Sequence, residues 1–167
     1  MKHLRIFVLV ALVMMTASGF TFENETFTGN SKKIEWLTLE EAYKRNQEEP
    51  RKIFIDVYTN WCGWCKKMDK DTFSDEEVAA YANDNYYAVK LNAESDRVMQ
   101  LGEMELTERE VARQLMVRSY PTIVFMEQDF KNFQPIPGYR TADDFKEMLE
   151  KFNVDSSEEV EKEEAGE

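Results

Sequence analysis

The chain has 167 residues, of which 43% are hydrophobic and 13% aromatic, enough for one globular domain with a core and too apolar for a disordered protein. Its formal net charge of −12 argues against a nucleic-acid-binding protein, because contacts to phosphates need clustered Lys and Arg.

The N-terminus has the pattern of a secretory signal. Lys2 and Arg5 precede an apolar run from Ile6 to Met15, and small residues follow at 16–19. The run is short for a bilayer core about 30 Å thick. We therefore expect residues 1–19 to be a signal peptide whose cleavage leaves a periplasmic or secreted protein, with retention as a membrane anchor as the alternative.

After a polar linker over residues 20–33, strands and helices alternate along the chain. The predicted strands lie at 34–36, 52–58, 86–92 and 122–126 and near 133–136. The first two predicted helices span 39–47 and 62 to past 70. The second breaks near 72 and restarts, and the new helix runs to about 83. The last two span 107 to about 116 and 141–152. Residues 93–106 are polar and favour no element. The alternation predicts an α/β layer fold with a mostly parallel sheet and an antiparallel hairpin at its edge.

Three capping-box patterns support the helix starts, since a Ser or Thr is followed three residues later by Glu. They are Thr38 with Glu41, Ser74 with Glu77, and Thr107 with Glu110.

The C-terminal residues 153–167 are strongly acidic. Between Asp155 and Glu167 there are seven carboxylates and one lysine. We expect a solvated, disordered tail, and a docking tail is the alternative.

The only two cysteines, Cys62 and Cys65, lie in the stretch WCGWCKKM. A bridge across so small a loop restrains the unfolded chain little, so the pair is a poor structural staple. The unpaired N–H groups at a helix start would stabilise a thiolate on Cys62, and Cys65 follows one turn later. A zinc site needs about four ligands, whereas the single histidine, His3, lies in the signal segment. The pattern therefore favours a reactive dithiol over a metal site.

Further motifs follow in order along the chain. They are the strand-to-helix stretch FIDVYTNWCGWCKKM, AVKLN with Lys90, SYPT with Tyr120 and Pro121, and Gly138 before the last helix. Together they resemble the thioredoxin superfamily over about residues 34–152. The TFSD segment after the cysteines is similar to secreted members such as the C-terminal domain of the periplasmic electron-transferring disulfide reductase. The resemblance implies a thioredoxin fold, a single domain with a central mixed sheet flanked by helices.

The resemblance also implies roles for individual residues. Asp56 matches the family's buried acid, which would accept the proton of Cys65, and Lys90 matches the lysine beside that acid. Pro121 matches the cis-proline that faces the dithiol and presents neighbouring backbone to an extended substrate. The alternatives are an ordinary strand-end acid for Asp56 and a solvated strand-edge lysine for Lys90. The expected substrate-binding residues are Trp61, Gly63, Trp64 and Tyr120.

These residues predict a thiol-disulfide oxidoreductase that needs no metal or organic cofactor. The Gly63–Trp64 dipeptide lacks the histidine of strongly oxidising relatives, which favours a disulfide reductase. The expected partners are disulfide-bonded or thiol-containing extracytoplasmic proteins and a membrane electron donor, with no nucleic acid, and the protein is expected to be a monomer. The alternatives are an oxidase or isomerase of secreted proteins and a thioredoxin-fold binding protein whose dithiol is idle.

Overall fold

The computed structural model describes residues 33–164, with side chains as far as residue 154. Its strands are β1 (Trp36–Leu37), β2 (Lys52–Tyr58), β3 (Tyr86–Asn92), β4 (Val98–Leu101), β5 (Met104–Thr107), β6 (Thr122–Met126) and β7 (Phe133–Pro137). Its helices are α1 (Leu39–Glu48), α2 (Gly63–Asp71), α3 (Glu76–Asn85), α4 (Glu108–Gln114) and α5 (Ala142–Glu164). The predicted signal peptide and nearly all of the predicted linker lie outside the described residues.

The central sheet is mixed, as expected. Its strand order is β1-β3-β2-β6-β7. Strands β1, β3 and β2 are parallel to one another, β6 is antiparallel to β2, and β7 is antiparallel to β6. Strands β2, β3 and β6 begin and end at the residues predicted from sequence. Their apolar, β-branched and aromatic runs suit strands that are covered on both faces.

Each face of the sheet is covered by helices, and the alternation of side chains along β2 separates the two layers. Ile53, Ile55 and Val57 belong to the layer beneath α1 and α4. Phe54 belongs to the layer beneath α2, α3 and α5. Successive side chains point to opposite faces of a strand, so Asp56 shares the face of Phe54 and lies beneath α2.

Two local predictions need correction. Strand β1 is Trp36–Leu37 rather than 34–36. The N-cap of α3 is Asp75, whose carboxylate accepts hydrogen bonds from the backbone N–H groups of Glu77 and Val78 at 2.9 and 3.0 Å. Ser74, the predicted cap, instead donates its hydroxyl to the carbonyl of Lys70 and so satisfies the end of α2.

Residues 93–106, for which the sequence favoured no element, contain most of a separate two-stranded sheet. Strands β4 and β5 pair in antiparallel register, from Val98 with Thr107 to Leu101 with Met104. Gly102 adopts φ +62° in the connecting turn, a conformation that glycine supplies at little cost. Both strands are short and partly exposed, so they lack the continuous apolar run that indicated β2, β3 and β6.

The last helix is also longer than predicted. It was expected to end at Phe152 and to give way to a disordered tail, but α5 continues to Glu164. No Gly or Pro interrupts residues 142–164, and Glu and Lys are good helix formers. The acidic segment up to Glu164 is therefore helical in the structure.

Within residues 33–164, no helix combines the length and the apolar character needed to cross a bilayer.

Candidate active site

Cys62 and Cys65 form a disulfide at the start of α2. Their sulfur atoms are 2.05 Å apart, and their Cα atoms are 5.3 Å apart. Cys62 is the N-cap of the helix, and its Sγ accepts a hydrogen bond from the backbone N–H of Cys65 at 3.0 Å. The first N–H groups of a helix have no partner within the helix, so this position can stabilise negative charge on the sulfur of Cys62. The predicted placement of the pair at a helix start is confirmed.

Aromatic contacts connect the disulfide segment to the loop that contains Pro121. Trp61, directly before Cys62, meets the ring of Tyr120 edge to face at a centroid distance of 5.9 Å. The peptide bond between Tyr120 and Pro121 is cis, as the resemblance implied. Trp61 is 68% exposed and Trp64 is 59% exposed. The two tryptophans therefore present apolar surface on either side of Cys62 instead of joining the core.

Two glycines of the site differ in what their positions require. Gly138 has φ +98°, and its N–H donates to the carbonyl of Pro121 at 2.8 Å, which ties the turn after β7 to the cis-proline loop. Its positive φ strains any other residue. Gly63, a predicted substrate-binding residue, has open space where a side chain would project. Nothing around Gly63 in the described residues requires a glycine there.

Asp56 is a buried acid, as its match to the family implied. It is 1% exposed, and its Oδ2 accepts a hydrogen bond from the Nζ of Lys90 at 2.6 Å. Its Oδ1 is also buried and has no hydrogen-bond partner among the described residues. Burial raises the pKa of Asp56 to about 6, since the loss of hydration outweighs the attraction of the Lys90 ammonium. Asp56 can therefore gain or lose a proton near neutral pH.

Lys90 is held between two carboxylates and three aromatic rings. It forms ion pairs with Asp56 and with Asp69 of α2. Its ammonium also lies 4.5, 5.4 and 4.9 Å from the ring centroids of three aromatic residues, which are Trp36, Tyr58 and Phe73. Burial opposes its charge, but the two carboxylates prevail and raise the pKa of Lys90. Lys90 is thus a fixed cation beside the acid and not a solvated strand-edge lysine.

Asp69 connects this buried pair with the helix that carries the disulfide. Cys65 and Asp69 are four residues apart in α2 and so lie on one helix face. Because Asp69 reaches Lys90, and Lys90 reaches Asp56, that face of α2 is directed toward the buried acid. These contacts link α2, which carries Cys62 and Cys65, to Lys90 and Asp56, and they link Trp61 to Tyr120, the residue before Pro121.

Among the described residues, no three His, Cys, Asp or Glu side chains converge in an arrangement that could hold a metal ion.

The sequence profile of the thioredoxin-like domain family matches residues 39–153. This match spans well over half of the chain and includes the disulfide, the buried acid and the cis-proline. The chain belongs to the thioredoxin-like domain family.

Curated proteins that are similar to this chain include thiol:disulfide interchange proteins. The thiol:disulfide interchange protein DsbD of Photorhabdus laumondii is 27% identical over 117 residues, which is 69% of this chain but only 18% of that protein. The chain thus corresponds to about a fifth of the length of this curated relative.

Solved structures share the thioredoxin fold. A putative disulphide-isomerase from Bacteroides thetaiotaomicron is 28% identical with a TM-score of 0.53, over 72% of this chain and 89% of that one. A thioredoxin from Thermus thermophilus is 20% identical with a TM-score of 0.59, over 73% and 88%. The C-terminal domain of DsbD from Neisseria meningitidis is 20% identical with a TM-score of 0.51, over 66% and 89%.

Sequence reasoning missed two acidic residues of this thioredoxin-like site. Glu94 accepts hydrogen bonds from the indole N–H of Trp61 at 2.9 Å and from the backbone N–H of Asn60 at 3.0 Å. Glu94 follows β3 and Asn60 follows β2, so the meeting of parallel strand ends at one sheet edge was a usable signal. For Asp69, the signal was its spacing of four residues from Cys65.

Replacing Asp69 is expected to lower the pKa of Asp56. Asp69 adds negative charge near Asp56, which raises the pKa of that acid, and it also shares the Lys90 ammonium. In Asp69→Asn, Lys90 would pair with Asp56 alone, so Asp56 should titrate below about 6. Carbon-13 NMR of the aspartate carboxyl groups would measure this change. Asp71→Asn is the control, because Asp71 pairs with Lys67 on the surface of the same helix. An Asp56 pKa that stays the same or rises would contradict the sharing of Lys90.

Proposed function

We propose that this protein is an extracytoplasmic thiol-disulfide oxidoreductase that reduces disulfides in other proteins through Cys62 and Cys65. The observation that carries the proposal is the Cys62–Cys65 disulfide at the start of α2, whose helix also contacts the buried Asp56–Lys90 pair through Asp69. Membership of the thioredoxin-like family supports the same chemistry. The names of the relatives, thiol:disulfide interchange protein and putative disulphide-isomerase, agree with it.

The proposed reaction begins with the reduced pair. The thiolate of Cys62 attacks one sulfur of a substrate disulfide, that S–S bond breaks, and the first substrate sulfur leaves as a thiolate that takes up a proton. Cys65 then attacks the Sγ of Cys62 in the mixed disulfide, which releases the second substrate sulfur. Two electrons and two protons pass to the substrate, and the Cys62–Cys65 disulfide forms. A dithiol donor must then reduce the pair again.

Asp56 and Lys90 would control the proton of Cys65 in this scheme. Cys65 must lose a proton to attack, and a carboxylate with a pKa of about 6 is mostly ionised at pH 7 and available to accept it. Lys90 would hold the ionised carboxylate in place through the 2.6 Å hydrogen bond. Pro121 and Tyr120, with Trp61 packed against Tyr120, would form the surface that receives the substrate chain, and Trp64 would add apolar surface on the other side of Cys62.

The proposed direction of electron flow and the proposed location of the protein are both argued from the sequence. The signal-like pattern over residues 1–19 supports a location outside the cytoplasm. The Gly63–Trp64 dipeptide has no histidine to stabilise the reduced form, which supports a reductase over an oxidase or isomerase. A membrane protein is the proposed electron donor, because the cytoplasmic pool of reductant lies across a bilayer from such a site.

The reduction potential of the cysteine pair tests the proposed direction. We expect a value nearer to the −270 mV typical of thioredoxin than to the roughly −120 mV of the strong periplasmic oxidant DsbA. Equilibration with glutathione buffers and quantification of the oxidised fraction would measure it. A potential above about −150 mV would overturn the reductase direction. Failure to reduce insulin with dithiothreitol as the donor would instead favour a thioredoxin-fold binding protein with an idle dithiol.

A further inference from the structure

A groove of about 380 Å³ lies beside the disulfide segment. Its walls are the segment after β3, helix α4 and the residues that lead to Pro121, and its lining includes Glu94, Arg109, Arg113, Val117 and Tyr120. Two of these residues contact Trp61, which precedes Cys62. Glu94 accepts the indole N–H, and the ring of Tyr120 packs against the indole ring. The groove therefore continues from the place where a substrate cysteine would react.

The charged side chains of the groove differ in how many hydrogen bonds and ion pairs they form. Both carboxylate oxygens of Glu94 accept hydrogen bonds from the Asn60–Trp61 segment. Arg109 pairs with Asp96 at 3.0 Å and donates to the carbonyl of Glu94 at 2.7 Å. The side chain of Arg113 is exposed, and within residues 33–154 its guanidinium forms no hydrogen bond or ion pair, although its charge attracts the carboxylate of Glu110 on the same helix. A cation is thus available in the groove of a protein whose net charge is −12.

We propose that this groove is a specificity subsite in which Arg113 binds an Asp or Glu side chain near the reacting cysteine of a substrate protein. The inference rests on the proposed function, since it concerns the substrates of the same disulfide. The planar guanidinium of Arg113 can donate two parallel hydrogen bonds to a carboxylate. Tyr120 and Val117 would contact the apolar part of the bound segment.

Charge complementarity decides between an acidic and a basic occupant. The net negative charge of the whole protein repels acidic partners, but most of these charges are far from the groove. At physiological salt, repulsion over more than about 8 Å is largely screened. At contact distance the available hydrogen-bonding groups decide. Both carboxylate oxygens of Glu94 already accept hydrogen bonds, whereas the guanidinium of Arg113, although attracted by Glu110, donates none within residues 33–154. A substrate carboxylate is therefore the complementary group.

The test uses three single-cysteine peptides that are identical except for Glu, Gln or Lys at the positions flanking the cysteine. Each peptide is supplied as its mixed disulfide with 2-mercaptoethanol. Stopped-flow fluorescence of Trp61 and Trp64 gives the rate constant for oxidation of the pre-reduced protein by each peptide. The Glu peptide is expected to react about fivefold faster than the Gln peptide, as for an ion pair worth about 1 kcal/mol at an exposed site. The Lys peptide should be slowest, and added salt should reduce the differences.

The variants separate the groove from the overall charge. In Arg113→Gln the Glu-to-Gln rate ratio should fall to about one, and in Arg113→Glu it should invert. Arg45→Gln is the matched control, because it removes the same charge from α1, where Arg45 pairs with Glu35. If Arg45→Gln lowered the Glu-to-Gln rate ratio as much as Arg113→Gln does, the subsite would be overturned. Equal rates for the Glu and Gln peptides with the unaltered protein would overturn the subsite while leaving disulfide reduction intact. No reaction with any peptide would overturn the subsite and the proposed function together.

Discussion

A Cys65→Ser variant is expected to accumulate mixed disulfides with its substrates through Cys62, whereas a Cys62→Ser variant should form almost none. With insulin as the substrate, both variants should lose disulfide reduction by about 10³-fold or more, because the two sulfurs act as a unit. Only the Cys65→Ser variant should retain an insulin chain that is released by added reductant. Non-reducing gels and mass spectrometry would detect this adduct.

The physical reason is the different position of the two sulfurs in α2. Cys62 precedes the first turn, where the backbone N–H of Cys65 donates to its sulfur and where negative charge is favoured. Cys65 lies inside the first turn, on the face that Asp69 directs toward Lys90 and Asp56. We therefore expect Cys62 to attack the substrate and Cys65 to resolve the mixed disulfide.

The serine substitutions are themselves good controls for folding. Serine is a favoured N-cap residue, so Cys62→Ser keeps the start of α2. The double variant Cys62→Ser/Cys65→Ser should trap nothing and shows the background of the assay. Equal trapping by the two single variants would reverse or remove the assigned roles. Trapping by neither variant, with both folded, would support the binding-protein alternative.

The second large effect is expected from Asp56→Asn, which should slow resolution of the mixed disulfide about 10²-fold at pH 7, the lower part of the range for general-base catalysis. In the unaltered protein the resolution rate should rise as pH increases through about 6, where Asp56 ionises. This rise should be absent in Asp56→Asn, because asparagine cannot accept the proton. Rapid-quench measurements from pH 5 to 8 on a preformed mixed disulfide would record both rates.

The same substitution should stabilise the oxidised protein above pH 7. Asp56 has a pKa of about 6 when folded and 3.8 ordinarily, so the folded state holds its proton more tightly. The stabilisation from the protonated acid is complete below about pH 4 and is lost as pH rises through about 6, a change of about 3 kcal/mol. Denaturant unfolding from pH 4 to 8 should show this loss in the unaltered protein and not in Asp56→Asn.

A control variant separates these effects from a general loss of acidic charge. Asp71→Asn removes a carboxylate from the surface of α2, where Asp71 pairs with Lys67. It should leave both the resolution rate and the pH dependence of unfolding between pH 5 and 8 unchanged. If Asp56→Asn resolved mixed disulfides at the normal rate across this range, Asp56 would have a structural role only.

Local sequence patterns were sufficient for the elements that form the centre of the fold. Strands β2, β3 and β6 could be predicted residue by residue, because their continuous apolar and β-branched runs specify strands that are covered on both faces. The capping boxes at Thr38 and Thr107 specified two helix starts, since their hydrogen bonds join residues only three apart. The position of Cys62 at a helix start was likewise contained in the strand-loop-helix pattern around it.

Tertiary structure alone decided the chemical environment of the site. The pKa of Asp56 depends on burial by helices elsewhere in the chain and on Lys90, 34 residues away. The partner of Trp61 is Glu94, 33 residues away, and the groove with Arg113 forms only where α4 approaches the segment before Pro121. A sequence pattern reports which residues are neighbours along the chain, whereas burial and charge pairing depend on which residues are neighbours in space. The sequence by itself therefore determined the fold and the cysteine pair, and the folded structure determined the pKa of Asp56 and the charged groups that surround the site.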